Sequence, residues 1–198
     1  THTDSSAASD VYKRQTWWIV TPAVVGAILG AQIAVDIDEQ TMNYCIGGLM
    51  LLMLPVIILN PKKWIANQLD KATDTNKPLV VFVFFIIGIY GGFIQAGVGV
   101  FLLAGLVMVA KFGLLFSNAV KIFAVLIYSV PAIIVFIIND QVDWELGLLV
   151  ASGQALGGWI GARFTTGNNY AAYWIRLLLI TIVIISIAKF FGAFDLMF

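Results

Sequence analysis

The sequence predicts an all-α protein, folded as a polytopic transmembrane helical bundle. Of its 198 residues, 61% are hydrophobic and only 11% are charged, whereas a soluble domain has about 45–50% apolar and about 25% charged residues. Such a chain has too few polar side chains to cover a surface in water. Its apolar residues also occur in long runs, and a run of about 20 can cross a bilayer as a helix. We therefore expect lipid to surround most of the chain.

The same composition excludes several classes of function. The 11 basic residues are balanced by 11 acidic ones, so the chain lacks the concentrated positive patch of a nucleic-acid-binding protein. A single cysteine, Cys45, excludes a disulfide scaffold, and with the single histidine, His2, it does not supply a zinc site. No Ser/His pair and no paired intramembrane carboxylates occur in the sequence. We therefore expect neither an enzyme nor a bound cofactor.

The leader, residues 1–15, differs from the rest of the chain. It is polar, has no apolar period, and lacks the apolar region of a signal peptide. Its run Ser5–Gln15 resembles translated read-through from a sequencing adapter; the alternative is a genuine cytoplasmic tail. We interpret residues 1–15 as a non-native or disordered leader and expect the native protein to begin upstream of Thr16.

Membrane spans follow the leader at regular intervals. Five segments have the length and composition of a span: Trp17–Val35, Thr41–Leu59, Asn118–Ile138, Trp144–Gly161 and Ala171–Phe191. Between the second and third lies the apolar stretch Leu79–Gly113, which is interrupted by Gly91, Gly92, Gly97, Gly99 and Gly105. Its two pieces, Leu79–Gln95 and Val98–Phe112, are each short for a span. This pattern predicts a Gly-broken helical hairpin whose break is buried in protein or lines a wet cavity.

The charged connections predict the orientation. The linker Asn60–Pro78 carries four lysines, and the positive-inside rule places it in the cytoplasm. Alternation then places the acidic turn Asp36–Gln40 outside and Lys111 and Arg163 near the cytoplasmic face. We expect a multi-pass membrane protein with the linker Asn60–Pro78 in the cytoplasm.

A weak internal repeat predicts two related halves. Gly26, Gly30 and Ala31 recur 131 residues later as Gly157, Gly161 and Ala162, a small-residue phrase that lets helices approach closely. The two copies lie on spans of opposite direction, as in inverted-repeat transporters. On this interpretation residues 16–59 end an incomplete first repeat, 60–78 form the linker, and 79–198 form the second repeat. Chance similarity is the alternative.

The glycine break supplies the first candidate binding residues, Gly92, Gln95, Gly97 and Gly99. Glycines permit tight turns that point backbone N–H groups into a cavity, and the half-helix that follows would offer its positive end to an anion. Alternatively, the glycines serve only close helix packing.

Three further polar residues lie in apolar spans. Ser117 or Asn118 is a natural N-cap for the next helix, and Lys121 would lie one turn inside it. Asn118 and Lys121 are candidate binding residues, because Lys121 and the N–H groups of this first turn would together attract an anion; alternatively, Lys121 snorkels to the headgroups. Gln154 is the last candidate: it either binds the substrate or forms a hydrogen bond between helices.

Four motifs in order resemble the sulfite exporter TauE/SafE family. They are Tyr90-Gly-Gly-Phe-Ile-Gln-Ala-Gly-Val-Gly99, Ser117-Asn-Ala-Val-Lys121, Val142-Asp-Trp144 and Gly157-Gly-Trp-Ile-Gly-Ala-Arg163. The resemblance extends from Thr16 to about Gly192. The family's glycine-rich motif of the first half has no counterpart in this chain, as an N-terminal truncation would explain. Many members also have more consecutive glycines where this chain has Gln95–Gly99, which leaves the substrate open.

The resemblance implies a permease of two related halves that moves small sulfur-containing anions, such as sulfite or organosulfonates. We expect export, with the small anion and the lipid bilayer as partners; the sequence predicts no oligomeric state. The alternative is a membrane scaffold or partner subunit that does not transport.

Overall fold

The computed structural model describes residues 2–59, 76–165 and 171–190. These residues form seven α-helices and one π-helical turn, with no β-strand among them. In chain order the elements are α1 (His2–Asp36), α2 (Glu39–Leu59), α3 (Lys77–Phe93), α4 (Val98–Ala104), the π-turn (Gly105–Val109), α5 (Leu114–Ile138), α6 (Trp144–Thr165) and α7 (Ala171–Phe190). The all-α prediction is confirmed, and each predicted span lies on helix; α1 begins fifteen residues before its predicted span, and the other ends agree to within about four residues.

Two stretches of helix are long and apolar enough to cross a membrane. They are Thr16–Asp36 within α1 and the whole of α5. Shorter apolar helices cover Lys77–Phe93, Val98–Val109 and Leu177–Lys189. These lengths refer to the described residues, and the crossings predicted for α2 and α6 stay predictions.

Helix α1 begins at His2, so the backbone of the leader is helical and continues into the first predicted span. The foreign origin of the leader stays a prediction, because a helical backbone does not report where a segment comes from. Most of the linker predicted at 60–78 lies outside the described residues, which resume at Asn76.

The helices divide into two compact units. The first unit contains α1, α3, α4, the π-turn and α5, and the second contains α2, α6 and α7. The predicted repeats divide the chain differently, because they group α1 with α2. Compactness and repeat symmetry are separate properties, and the inverted repeat stays a prediction.

Helices α1 and α3 pack through small residues. A Cβ built on Gly26 would lie 2.8 Å from the backbone nitrogen of Ile89, and one on Gly92 would lie 2.6 Å from the Cα of Ala27. Such contacts bring the two backbones together, which is how helices associate where lipid removes the hydrophobic driving force between them. Gly30 and Gly88 make the same close approach.

The order of these contacts shows that α1 and α3 are parallel. Ala23 faces Gly88, and Ala27, one turn later, faces Gly92. Both helices therefore begin on the same side of the first unit, in agreement with the predicted alternation. The packing role predicted for the small-residue phrase is confirmed for its first copy. At Gly157 and Gly161 of the second copy an added Cβ would meet nothing within 4 Å.

The Gly-broken hairpin is confirmed. Helix α3 ends at Phe93, and the chain returns along it as α4 and the π-turn. A Cβ on Gly105 would lie 3.2 Å from both Ile87 and Phe84, so the returning segment packs on the middle of α3. Near the turn, the Tyr90 ring meets that of Phe101 edge to face, with centroids 5.2 Å apart.

The second unit is described by α2, α6 and α7. Helix α7 packs against α2. At the start of α6, the Asp143 carboxylate accepts a hydrogen bond from the backbone N–H of Leu146 (3.0 Å). The Asp143 side chain therefore caps the start of α6.

Candidate functional site

The bend between α3 and α4 is a tight turn with two left-handed residues. Gln95 has φ 60° and Gly97 has φ 70°. Glycine adopts this conformation freely, whereas an L-residue such as glutamine costs roughly 1–2 kcal/mol there. The Tyr90 carbonyl accepts from the N–H groups of Ile94 (3.1 Å) and Gln95 (3.4 Å) and so ends α3. The Tyr90 hydroxyl donates to the Ala96 carbonyl and ties the turn from the other side.

The side chain of Gln95 reaches from this bend to the middle of α5. Its Nε2 donates to the Ser129 hydroxyl at 3.3 Å. Ser129 lies two positions before Pro131, a proline inside α5. We call Gln95 and Ser129 the bend cluster. Their bond brings two polar side chains together at the middle of an apolar helix, where polar groups are costly and need a role.

The glycines of the break have different surroundings. Gly92 is buried and packs against the backbone of α1 at Ala27, as the alternative hypothesis of close helix packing predicts. A role of Gly92 in binding stays a prediction. Gly91 faces the Tyr128 ring, whose hydroxyl would lie 2.9 Å from a Cβ at that position. Gly97 is exposed at the bend, and Gly99 is half-buried.

Helix α5 begins earlier than the sequence predicts. Its N-cap is Gly113, with an extended backbone (φ −59°, ψ 147°) and no side-chain cap bond, so the prediction that Ser117 or Asn118 caps the helix is wrong. The apolar residues that precede Ser117 already form the first turn, because the Ser117 N–H is bonded to the Gly113 carbonyl at 2.8 Å. The Ser117 hydroxyl is buried and donates back to the Phe112 carbonyl (3.3 Å).

Lys121 consequently lies about two turns inside α5, away from the unbonded N–H groups of the helix start. Its ammonium donates to the Asn118 side-chain oxygen at 2.7 Å. The Lys121 stem passes Gly99, with the Lys121 Cδ 3.6 Å from the place of a Cβ there. We call Gly99, Asn118 and Lys121 the lysine cluster; Asn118 is exposed and Lys121 is half-buried.

Tyr128 lies between Lys121 and Ser129 in the sequence of α5. It lies seven positions after Lys121, two helical turns along the same face of α5. Its side chain is fully buried, and its hydroxyl has no hydrogen-bond partner among the described residues. Buried polar groups are nearly always hydrogen-bonded, so an exception needs an explanation.

Gln154 lies in the second unit, exposed on α6. The Ser152 hydroxyl beside it donates to the Leu149 carbonyl of its own helix at 2.7 Å. In the described part of the chain no three His, Cys, Asp or Glu residues are grouped as metal ligands would be.

Sequence reasoning missed Ser129 and Tyr128 and did not anticipate the left-handed backbone of Gln95. A signal existed for the first two, since a serine and a tyrosine interrupt an otherwise apolar run just before Pro131. The conformation of Gln95 had no such signal, because glycines on both sides offered alternative turns.

Known proteins resemble this chain over most of its length. A family model described as "Sulfite exporter TauE/SafE" matches residues 5–190. "Probable membrane transporter protein ORF9" of Sinorhizobium sp is 29% identical over 166 residues, which are 84% of this chain and 61% of that protein. "Probable membrane transporter protein YdhB" of Bacillus subtilis (strain 168) is 24% identical over 148 residues, which are 72% of this chain and 59% of that protein. The chain thus spans about three fifths of these curated relatives. No solved structure matches it.

Proposed function

Because the chain belongs to the sulfite exporter TauE/SafE family, we propose that the protein is a multi-pass permease that exports small sulfur-containing anions across the bacterial plasma membrane. The observation that carries this proposal is the bend cluster, where a strained Gln95 is held against the middle of α5. Strained backbone persists where surrounding contacts over-determine it, and such positions concentrate at functional sites. We propose the bend as the place where the anion binds.

Sulfite and sulfonates present several acceptor oxygens, so their site must offer hydrogen-bond donors. The Gln95 amide, the Ser129 hydroxyl and the buried Tyr128 hydroxyl are donors of the required kind. Neutral donors suit a carrier, because the solute must bind well enough to enter and weakly enough to leave. Gly97 lets the backbone approach the anion at this point.

Lys121 supplies positive charge near the proposed binding site. Between positions 79 and 138 the sequence has two lysines and no acidic residue, so this part of the chain is net positive. On the predicted topology α5 begins near the cytoplasmic face, so an anion inside the cell would meet the lysine cluster before the bend cluster. We propose that Asn118 orients the Lys121 ammonium for this step. The substrate role predicted for Gln154, which lies in the second unit, stays a prediction.

An efflux assay tests this function. Proteoliposomes carrying the purified protein are loaded with a labelled organosulfonate and its release is followed. We expect Ser129→Ala to lower the initial rate at least fivefold. Ser152→Ala removes an equivalent hydroxyl that is bonded within its own helix, and this control should transport at the wild-type rate. Equal rates for the two variants would contradict the proposed site.

The alternative is a scaffold that does not transport, and the filled surroundings of Gly91 and Gly92 favour it. Single-cysteine variants distinguish the two functions, because Cys45 is the only cysteine in the sequence and can be replaced by serine. A permease predicts that Gln95→Cys reacts with a membrane-impermeant maleimide and is protected by methanesulfonate. Sulfite is unsuitable as the protecting anion because it adds to maleimides. A scaffold predicts no reaction at position 95.

A further inference from the structure

A second feature of the first unit is an apolar groove of about 680 Å³ between α1 and α3. Its walls include Trp18 and Val25 of α1 and Phe82 and Phe85 of α3, and Lys77 lies at the start of α3. Almost all of the lining surface is apolar. The groove is distinct from the bend and lysine clusters, since none of their residues line it.

The dimensions of the groove match one leaflet of a bilayer. From position 77 to position 85 a helix rises roughly 12 Å, and half of the hydrocarbon core measures about 15 Å. The groove lies along the start of α3 and along Trp18–Val25 of α1, at the start of the first predicted span, and these two parallel segments would lie in the same leaflet. On the proposed topology that leaflet is the cytoplasmic one.

The charge at the end of the groove identifies its occupant. Lys77 is exposed and opens α3, whose N-cap residue Asn76 makes no side-chain cap bond. The ammonium and the positive end of the helix therefore act together on a negative group. Trp18 has the amphipathic ring that is enriched at the headgroup level. An apolar channel that ends in a cation is complementary to an acyl chain that ends in a phosphate.

We propose that this groove is a specific binding site for an anionic phospholipid, with one acyl chain along α1 and α3 and the headgroup phosphate at Lys77. One lysine near the membrane surface raises the affinity for an anionic lipid about fivefold, which corresponds to about 1 kcal/mol. The lipid would stabilise the pairing of α1 and α3 without taking part in anion transport.

Native mass spectrometry of the purified protein tests the headgroup contact. Phosphatidylglycerol and phosphatidylethanolamine with identical acyl chains are titrated separately. We expect wild type to retain phosphatidylglycerol about fivefold more strongly, and Lys77→Gln to abolish that preference. Lys111→Gln removes an exposed lysine outside the groove and should keep it. Equal retention of the two lipids by wild type, or equal losses in the two variants, would overturn the proposal.

A second pair of variants tests the acyl-chain contact. Val25→Phe puts a larger side chain into the groove and should lower retention of both lipids severalfold. Val130→Phe makes the same change at a similarly exposed position on α5 and should retain both. Circular dichroism checks that both variants are folded. Unchanged lipid retention in a folded Val25→Phe protein would refute the groove as the site.

Discussion

Replacement of Lys121 by glutamine tests the electrostatic part of the mechanism. Lys121 and Ser129 lie on the same helix, separated by roughly 12 Å of helix rise. A unit charge at that distance, in an effective dielectric constant of about 20, attracts a monovalent anion by about 1.4 kcal/mol. That free energy corresponds to about tenfold in affinity. Glutamine keeps an N–H donor that can reach Asn118, so the substitution removes mainly the charge.

We therefore expect Lys121→Gln to raise the KM for methanesulfonate about tenfold, with a smaller change in the maximal rate. The assay is initial transport into proteoliposomes over a range of methanesulfonate concentrations at constant ionic strength. Lys111→Gln serves as the control, because Lys111 is exposed in the loop before α5. If the KM of Lys121→Gln equals that of wild type, Lys121 only snorkels to the headgroups and the proposed attraction is wrong.

Three further predictions concern the first unit. Gly92→Ala should lower the free energy of unfolding by about 1–3 kcal/mol, because its Cβ would overlap Ala27. The control is Gly48→Ala, at a helical glycine with open space around it, which should not lower that free energy. Thermal unfolding in detergent compares the two variants. Gln95→Gly should be more stable than Gln95→Ala by roughly 1 kcal/mol, because both variants lose the bond to Ser129 and only glycine adopts the left-handed backbone freely. Both variants should lower transport, and equal stability of the two would contradict the strain. Tyr128→Phe should leave thermal stability equal or higher, since it removes a buried hydroxyl without a described partner, but should slow transport severalfold; unchanged transport would exclude that hydroxyl from the site.

Most of the helices could be predicted from the sequence, because long apolar runs in lipid have few alternatives to helix. The broken hairpin was also predictable. The glycines around Gln95 divide the stretch Leu79–Gly113 into pieces too short for ordinary spans, and the chain does turn back between Phe93 and Val98.

The details of the site were less predictable because they depend on contacts between distant residues. Ser117 looks like an N-cap in the sequence, but Gly113 takes that position and the Ser117 hydroxyl bonds backwards to Phe112. The bond between Gln95 and Ser129 joins positions 34 residues apart. No local pattern encodes such a pairing.

The tight contact between α1 and α3 limits how this part of the protein can move. Sliding one helix along the other would bring residues that carry a Cβ to places where the backbones of Ala23 and Ala27 leave room only for glycine, so we expect the two helices to move together. Conformational change within the first unit is then left to the turns on either side of the segment formed by α4 and the π-turn. If the protein transports as proposed, these turns would be the hinges, and movement of this segment would make or break the bond between Gln95 and Ser129.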